Sequence, residues 1–294
     1  MSANPTPAGA AGAGEPGRPQ APPALRDVAA TLAREAGAIL REGYGRAHRP
    51  ERKGRIDLVT EYDRRSEDLL LRRLRERFPD HAVLAEESGV HEAGPSTMRW
   101  LVDPLDGTTN FAHNYPFFAV SIAAEAAGEL VAGVVFDPVR DELFAAAVGA
   151  GATLNGAPIR VSDIGRLEDA LLVTGFPYSV REQPEPTLGF FRDFLLRAQG
   201  VRRDGSAALN LCYLASGRFD GFWEGHLSPW DMAAGVLIVR EAGGAVTDYA
   251  GGTFRLDGRQ ILASNGRLHP FMQAVLAASG PAPGGGSPPA APGG

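Results

Sequence analysis

One cysteine in 294 residues excludes an intramolecular disulfide and, with it, a zinc–thiolate cluster. That residue, Cys212, lies in the apolar, helix-like stretch Leu209-Asn210-Leu211-Cys212-Tyr213-Leu214 and reads as a small buried hydrophobe, not a nucleophile. No run of 18 apolar residues exists, so an ordinary membrane-spanning helix is not expected. The first residues show no basic segment leading into an apolar core, and a cytoplasmic location is expected. Positive charge is scarce as well: 29 Lys and Arg stand against 35 Asp and Glu, a net charge of −6. A chain of that balance is not expected to bind nucleic acid without regard to sequence. The six histidines are scattered without an HxxxH pair, so surface or structural places are expected for all of them, with His113, two residues after Phe111, the one expected nearest the rim of a site.

What is present is an ordinary globular balance, with 44% hydrophobic and 22% charged residues. Residues 1–23 and 280–294 consist almost wholly of Ala, Gly, Pro and small polar residues, and both read as disordered tails. Residues 24–279 run between them without a linker-like break and read as one domain.

Within that domain Leu25, Val28, Leu32, Ala36, Ile39 and Leu40 recur at helical spacing. A second helix is expected from about Asp63 to Phe78, with a polar start at Thr60 to Asp63 and an end at Pro79-Asp80. The period then changes. Phe118–Glu125, Leu130–Phe136 and Glu142–Val148 are short β-compatible runs, and Asn155-Gly156 signals a hairpin, so an antiparallel meander is expected. Further on, helices are expected over Thr187–Ala198, Ala207–Ser216 and Trp230–Ala242, mixed with strands at Phe219–Trp223, Ala245–Asp248 and Gln260–Ser264. This order suggests α/β or α+β layers without a regular βαβ repeat.

Acids gather at four places beside strand ends or helix starts: Asp57 to Asp63, Glu86-Glu87, Asp103 with Asp106, and Asp231. Singly, each has a plain explanation, since acids favour the first turn of helices and solvated loops. Together they would repel one another, and bound cations offset that cost. The stretch Leu101-Val102-Asp103-Pro104-Leu105-Asp106-Gly107-Thr108-Thr109-Asn110-Phe111 is the richest of the four. It sets two carboxylates three residues apart at the end of an apolar run, followed by a Gly-Thr turn whose amides are free to face an anion. Oxygen-only ligands suit Mg²⁺ better than zinc or copper.

Asp103-Pro104-Leu105-Asp106-Gly107-Thr108-Thr109-Asn110-Phe111, with Glu86-Glu87-Ser88 upstream and Trp230-Asp231-Met232-Ala233-Ala234-Gly235 downstream, resembles the inositol monophosphatase family, in particular its bacterial inositol-1-monophosphatase-like members. The likeness extends through Asp57 to Asp63, Gly205-Ser206-Ala207-Ala208 and Arg240 to Ala245, in the family's order. It implies a layered αβαβα sandwich of the fructose-1,6-bisphosphatase type, a homodimer, and two to three Mg²⁺ ions per site with sensitivity to lithium. Glu86, Asp103, the carbonyl of Leu105, Asp106 and Asp231 would be the metal ligands, with Asp103 as bridge. Thr108, paired with Asp63, would orient the attacking water, so that Asp63, Thr108 and Glu86 form the catalytic set. Amides around Gly107 and Thr108 would hold the phosphate. Gly205, Ser206, Ala207 and Glu224 would face polyol hydroxyls, a task that suits a carboxylate able to accept from two neighbouring hydroxyls. Asp204 departs from the small polar residue many relatives carry there, which leaves a changed substrate preference or a local Arg–Asp pair open. Lys53 falls in the loop that contributes to a third metal site in relatives and is at most accessory.

The activity so implied is hydrolysis of inositol 1-phosphate, or a similar polyol or sugar phosphate, by in-line attack of a metal-activated water without a phosphoenzyme. Fructose 1,6-bisphosphate, NADP, histidinol phosphate and 3′-phosphoadenosine 5′-phosphate are substrates on related folds and remain alternatives. A partner-binding protein that has lost turnover is a further alternative, against which stands the full acidic set.

Overall fold

The computed structural model describes residues 21–46, 50–52 and 58–279. Lys53, Asp57 and the stretches 1–20 and 280–294 lie outside the described residues.

The first helix, α1 (Pro22–Gly43), begins two residues inside the stretch read as a tail, with a proline in its first turn and Leu25, Val28, Leu32, Ala36 and Leu40 buried on one face. A two-stranded ribbon follows, β1 (Glu51–Arg52) with β2 (Leu58–Val59). Helix α2 (Glu61–Arg77) opens on a capping box in which Thr60 and Asp63 satisfy each other's backbone, and its last turn carries Arg75 and Arg77. Next come β3 (Ala82–Ala85), β4 (Gly89–His91), β5 (Met98–Asp106) and the short helix α3 (Thr108–Ala112). The expected meander then appears as β6 (Ala119–Ala126), β7 (Glu129–Asp137), β8 (Glu142–Ala147), β9 (Ala152–Leu154) and β10 (Ala157–Pro158). Asn155-Gly156 is the two-residue turn between the last two, both residues at positive φ. These strands form one eight-stranded sheet in the order β10-β9-β8-β7-β6-β5-β3-β4, antiparallel except where β3 runs parallel to β5.

The second half holds β11 (Leu171–Thr174), α4 (Thr187–Leu195), β12 (Gly200–Arg202), α5 (Ala207–Ala215), β13 (Gly221–Gly225), α6 (Pro229–Glu241), β14 (Ala245–Thr247), β15 (Gln260–Ser264) and α7 (His269–Ser279). Its five strands make a mixed sheet in the order β12-β11-β13-β15-β14. Three apolar clusters bind the layers. Helices α1 and α2 cover one face of the large sheet through Leu32, Leu70, Leu74, Trp100 and Phe136. Helices α5 and α6 fill the space between the two sheets with Leu209, Leu211, Cys212, Val236 and Ile238. Helices α4 and α7 close the far face with Phe194, Met272 and Leu276. The result is the αβαβα sandwich. Cys212 is fully buried, as its apolar setting implies. Among the described residues no helix is long and apolar enough to cross a membrane.

The middle layer depends on close approach. At Gly133 in β7, a Cβ would sit 2.8 Å from the carbonyl oxygen of Ala234 and 3.0 Å from its Cα, so α6 lies directly on sheet backbone there. Gly133→Val should therefore force the helix off the sheet and lower unfolding stability by about 2–3 kcal/mol. Denaturant unfolding within about 0.5 kcal/mol of the parent, the scale of neutral surface changes, would contradict this packing.

Candidate active site

The carboxyl end of β5 carries the chemistry, and it does so through an irregularity. Asp103 pairs with Ser121 and Asp106 with Ala119, so three steps on β5 span two on β6. Residues three apart on a regular strand point to opposite faces. The bulge, centred on Pro104, which has no N–H to donate to the ladder, turns both aspartates into the same cavity. Ser66 of α2 donates to the Pro104 carbonyl at 2.9 Å and ties the bulge to the outer helices. Gly107 follows in the left-handed region at φ 94°, where a Cβ would meet the Phe117 carbonyl oxygen at 3.0 Å; only glycine suits this turn into α3.

The cavity, about 810 Å³, is walled by Glu86, Asp103, Leu105, Asp106, Gly107, Thr108, Gly205, Ser206, Ala207, Glu224 and Asp231. Every expected metal and substrate residue thus meets in one place. The acids arrive from three elements, Asp103 and Asp106 both from β5. Glu86 follows β3 and its amide donates to the Val102 carbonyl. Asp106 accepts from the Ser206 hydroxyl at 2.5 Å and the Ala208 amide at 2.8 Å, at the start of α5. Asp231, three residues into α6, accepts from the Ser228 amide at 2.7 Å. Asp103 accepts from the Leu105 amide at 3.0 Å and shares a hydrogen bond with Glu86.

Asp63 is the expected site residue that does not reach the cavity wall. It is fully buried, accepts from the Thr60 amide at 2.8 Å and the Thr60 hydroxyl at 2.6 Å, and spends its other oxygen on the Thr108 hydroxyl at 2.9 Å. It is therefore a helix cap and the holder of Thr108 at once.

Burial is the first cause that raises the carboxyls of the cavity. Asp103 is pushed well above the ordinary range by burial and then by the charges of Glu86, Asp106 and Asp231. Asp231 is raised by burial and by Asp106. Asp106 rises only to about 6, because the hydrogen bonds from Ser206 and Ala208 oppose its burial. Glu224, at the far wall, is raised to about 8 by burial and the Asp106 charge, with Arg203 pulling the other way. Among the described residues no three Asp, Glu, His or Cys side chains are arranged so as to hold a metal ion by themselves, so an ion here would need waters or substrate to complete its shell. That arrangement fits Mg²⁺, which takes one or two carboxylates plus waters and substrate oxygens, and all the donors are oxygen.

Several wall residues carried no signal in the sequence. Gly175, Phe176, Tyr178 and Arg181 follow β11, a four-residue strand too short to show a period. Arg203 stacks over Phe176 at 5.6 Å, and His226 and Arg259 sit at the wall with positive φ. His113 lines the cavity too. The Asn110 amide donates to the carbonyls of Phe117 at 2.7 Å and Asp204 at 2.8 Å, so it links the motif turn to the substrate-side loop. Asp204 feels Arg202 and Arg140 electrostatically, with burial the larger effect.

An αβαβα sandwich with an acid-lined cavity at the bulged end of a central strand defines a class of phosphate-ester hydrolases. A family model, "Inositol monophosphatase family", matches residues 23–280, and the chain belongs to that family. An inositol-1-monophosphatase of Synechocystis sp. is 46% identical over 254 residues, 86% of this chain and 88% of the relative. A protein of Vibrio cholerae named Nus factor SuhB is 43% identical over 83% of this chain and 92% of its own length. The solved inositol monophosphatase of Anabaena (Nostoc) sp. superposes with a TM-score of 0.79 at 44% identity, over 86% of this chain and 95% of that one.

Ser206 serves two partners, donating to Asp106 and accepting from the Leu209 amide at 3.2 Å as the cap of α5. Ser206→Ala should cost about 1 kcal/mol of unfolding stability through the lost cap alone. An unchanged denaturation midpoint would remove Ser206 from that role.

Proposed function

We propose that this chain is a Mg²⁺-dependent phosphomonoesterase acting on inositol 1-phosphate or a similar polyol or sugar phosphate, in the cytoplasm and as a homodimer. The observation that carries the reading is the meeting of Glu86, Asp103, Asp106 and Asp231 in one cavity with the Gly107–Thr108 turn. Glu86, Asp103, the Leu105 carbonyl, Asp106 and Asp231 would hold the metal. Mg²⁺ bound there would neutralise phosphate charge and lower the pKa of a water.

The protein's own part is positioning. Asp63 holds the Thr108 hydroxyl proton, so the hydroxyl's lone pairs are left to accept from a water in the cavity. Thr108 thereby fixes the direction from which that water approaches phosphorus. Amides at Gly107 and Thr108 face the phosphate oxygens, and the left-handed Gly107 lets the backbone come close. Across the cavity Glu224, with Gly205, Ser206 and Ala207, receives the polyol. Effects of this kind supply most of the rate in phosphoryl transfer.

The Nus-factor name borne by several relatives gives a second reading, a partner-binding role beside or in place of turnover. Loss of turnover is disfavoured because Asp63, Glu86, Asp103, Asp106, Thr108 and Asp231 are all retained.

The test is phosphate release from inositol 1-phosphate, fructose 1,6-bisphosphate, NADP, histidinol phosphate and 3′-phosphoadenosine 5′-phosphate, with and without Mg²⁺. Release that stops on chelation and is fastest with inositol 1-phosphate is expected; no Mg²⁺-dependent release from any of them would sink the enzymatic reading. Asp103→Asn should lower turnover at least about 10²-fold while the far-ultraviolet spectrum is kept. Near-parental turnover would remove Asp103 from the metal set.

A further inference from the structure

Glu224 can hold its place only because residue 175 has no side chain. Strands β11 and β13 run parallel, with Leu172 opposite Gly221, Val173 opposite Phe222 and Thr174 opposite Trp223. The next step of that register sets Gly175 beside Glu224. The Thr174 hydroxyl donates to the Trp223 carbonyl at 2.6 Å and locks the two strands at this point. A Cβ built on Gly175 would fall well inside the 3.0 Å that real Cβ contacts keep, and the three nearest atoms are all carboxyl atoms of Glu224: Oε1, Cδ and Oε2. The backbone does not demand glycine here, because Gly175 is absent from the positive-φ residues. Space demands it.

We propose that Gly175 is a positioning residue for substrate selection, the floor of the slot from which the Glu224 carboxylate meets the hydroxyls of the bound phosphate ester. This rests on the phosphomonoesterase reading above. A methyl group at 175 would displace the end of a flexible side chain and leave strand backbone where it is. The carboxylate would swing away while Glu86, Asp103, Asp106 and Asp231, on other elements, stay put. Glu224 is 9% exposed and lines the cavity, and Arg203 is near enough to act on it electrostatically.

The experiment compares the full-length parent with Gly175→Ala, Glu224→Ala and the double variant, in Mg²⁺, on inositol 1-phosphate and on p-nitrophenyl phosphate, which has no hydroxyl for Glu224 to meet. Two hydrogen bonds to one carboxyl group are together worth enough that losing them raises KM about tenfold. Gly175→Ala is expected to raise KM for inositol 1-phosphate about tenfold more than KM for the aryl ester. It should add nothing in the Glu224→Ala background, because both changes remove one carboxylate from one place. Thermal unfolding of Gly175→Ala should stay close to the parent, which separates displacement of the carboxylate from loss of the fold. Equal losses on the two esters, additive losses in the double variant, or an unchanged KM for inositol 1-phosphate would each overturn the role of Gly175. A parent inert toward both esters would overturn the phosphomonoesterase reading and this proposal with it.

Discussion

The repulsion among four carboxylates that share one cavity, Asp103 buried and the others half-buried, is the constraint on which the rest of this structure depends. Glu86, Asp103, Asp106 and Asp231 share one cavity, and each raises another's affinity for protons. Left as side chains on flexible loops they would turn apart into water. They stay because Glu86 follows the end of β3, Asp103 and Asp106 flank the bulge of β5 and Asp231 lies in the first turn of α6, and because amides or a hydroxyl grip one oxygen of each aspartate. The layered fold can be understood as the means of bringing these three elements to one point. The large sheet supplies β3 and the bulge of β5, and the middle helices α5 and α6 bring their first turns against it. A divalent cation would relieve the repulsion.

Helix capping and site chemistry are usually taken as rival explanations for an acid at a helix start. Asp63 and Asp231 show that they need not be. Each occupies the third position of its helix and accepts from the backbone at the cap, which uses one carboxylate oxygen. The second oxygen is then aimed by the helix itself, in Asp63 at the Thr108 hydroxyl. A cap thus provides rigidity that a site residue needs, at a position the helix dipole already favours for an anion.

This double use bears on what could be read from the chain alone. The acids and their order were legible because they sit in short contiguous motifs, and α1, α2, the meander and the Asn155-Gly156 turn were legible because their periods run for several residues. What escaped was made by long-range register. Strands β11 and β12, of four and three residues, are too short to carry a period, and α7 carries its buried residues without a marked polar face. The bulge in β5 escaped as well, although Pro104 hinted that the ladder breaks there. With β11 unseen, Gly175, Phe176 and Arg181 had no place in the site, and Arg203 was only a neighbour of Asp204.

The asymmetry has a physical consequence. The half of the cavity around Asp103 and Thr108 is built from one bulged strand and the starts of neighbouring helices, so its residues are tied to the core and to one another by short hydrogen bonds. The opposite half is built by the parallel pair β11–β13 and the loops beside these strands and their neighbours, where Phe176, Arg203, His226 and Arg259 stand next to strand ends. A change on that side moves side-chain tips, Glu224 among them, without moving Glu86, Asp103, Asp106 or Asp231. Substrate choice can therefore shift in such a fold at small cost to stability, whereas the acids cannot be rearranged without unpicking caps and a sheet. This is why the motif identifies the family and leaves the identity of the ester to the far wall.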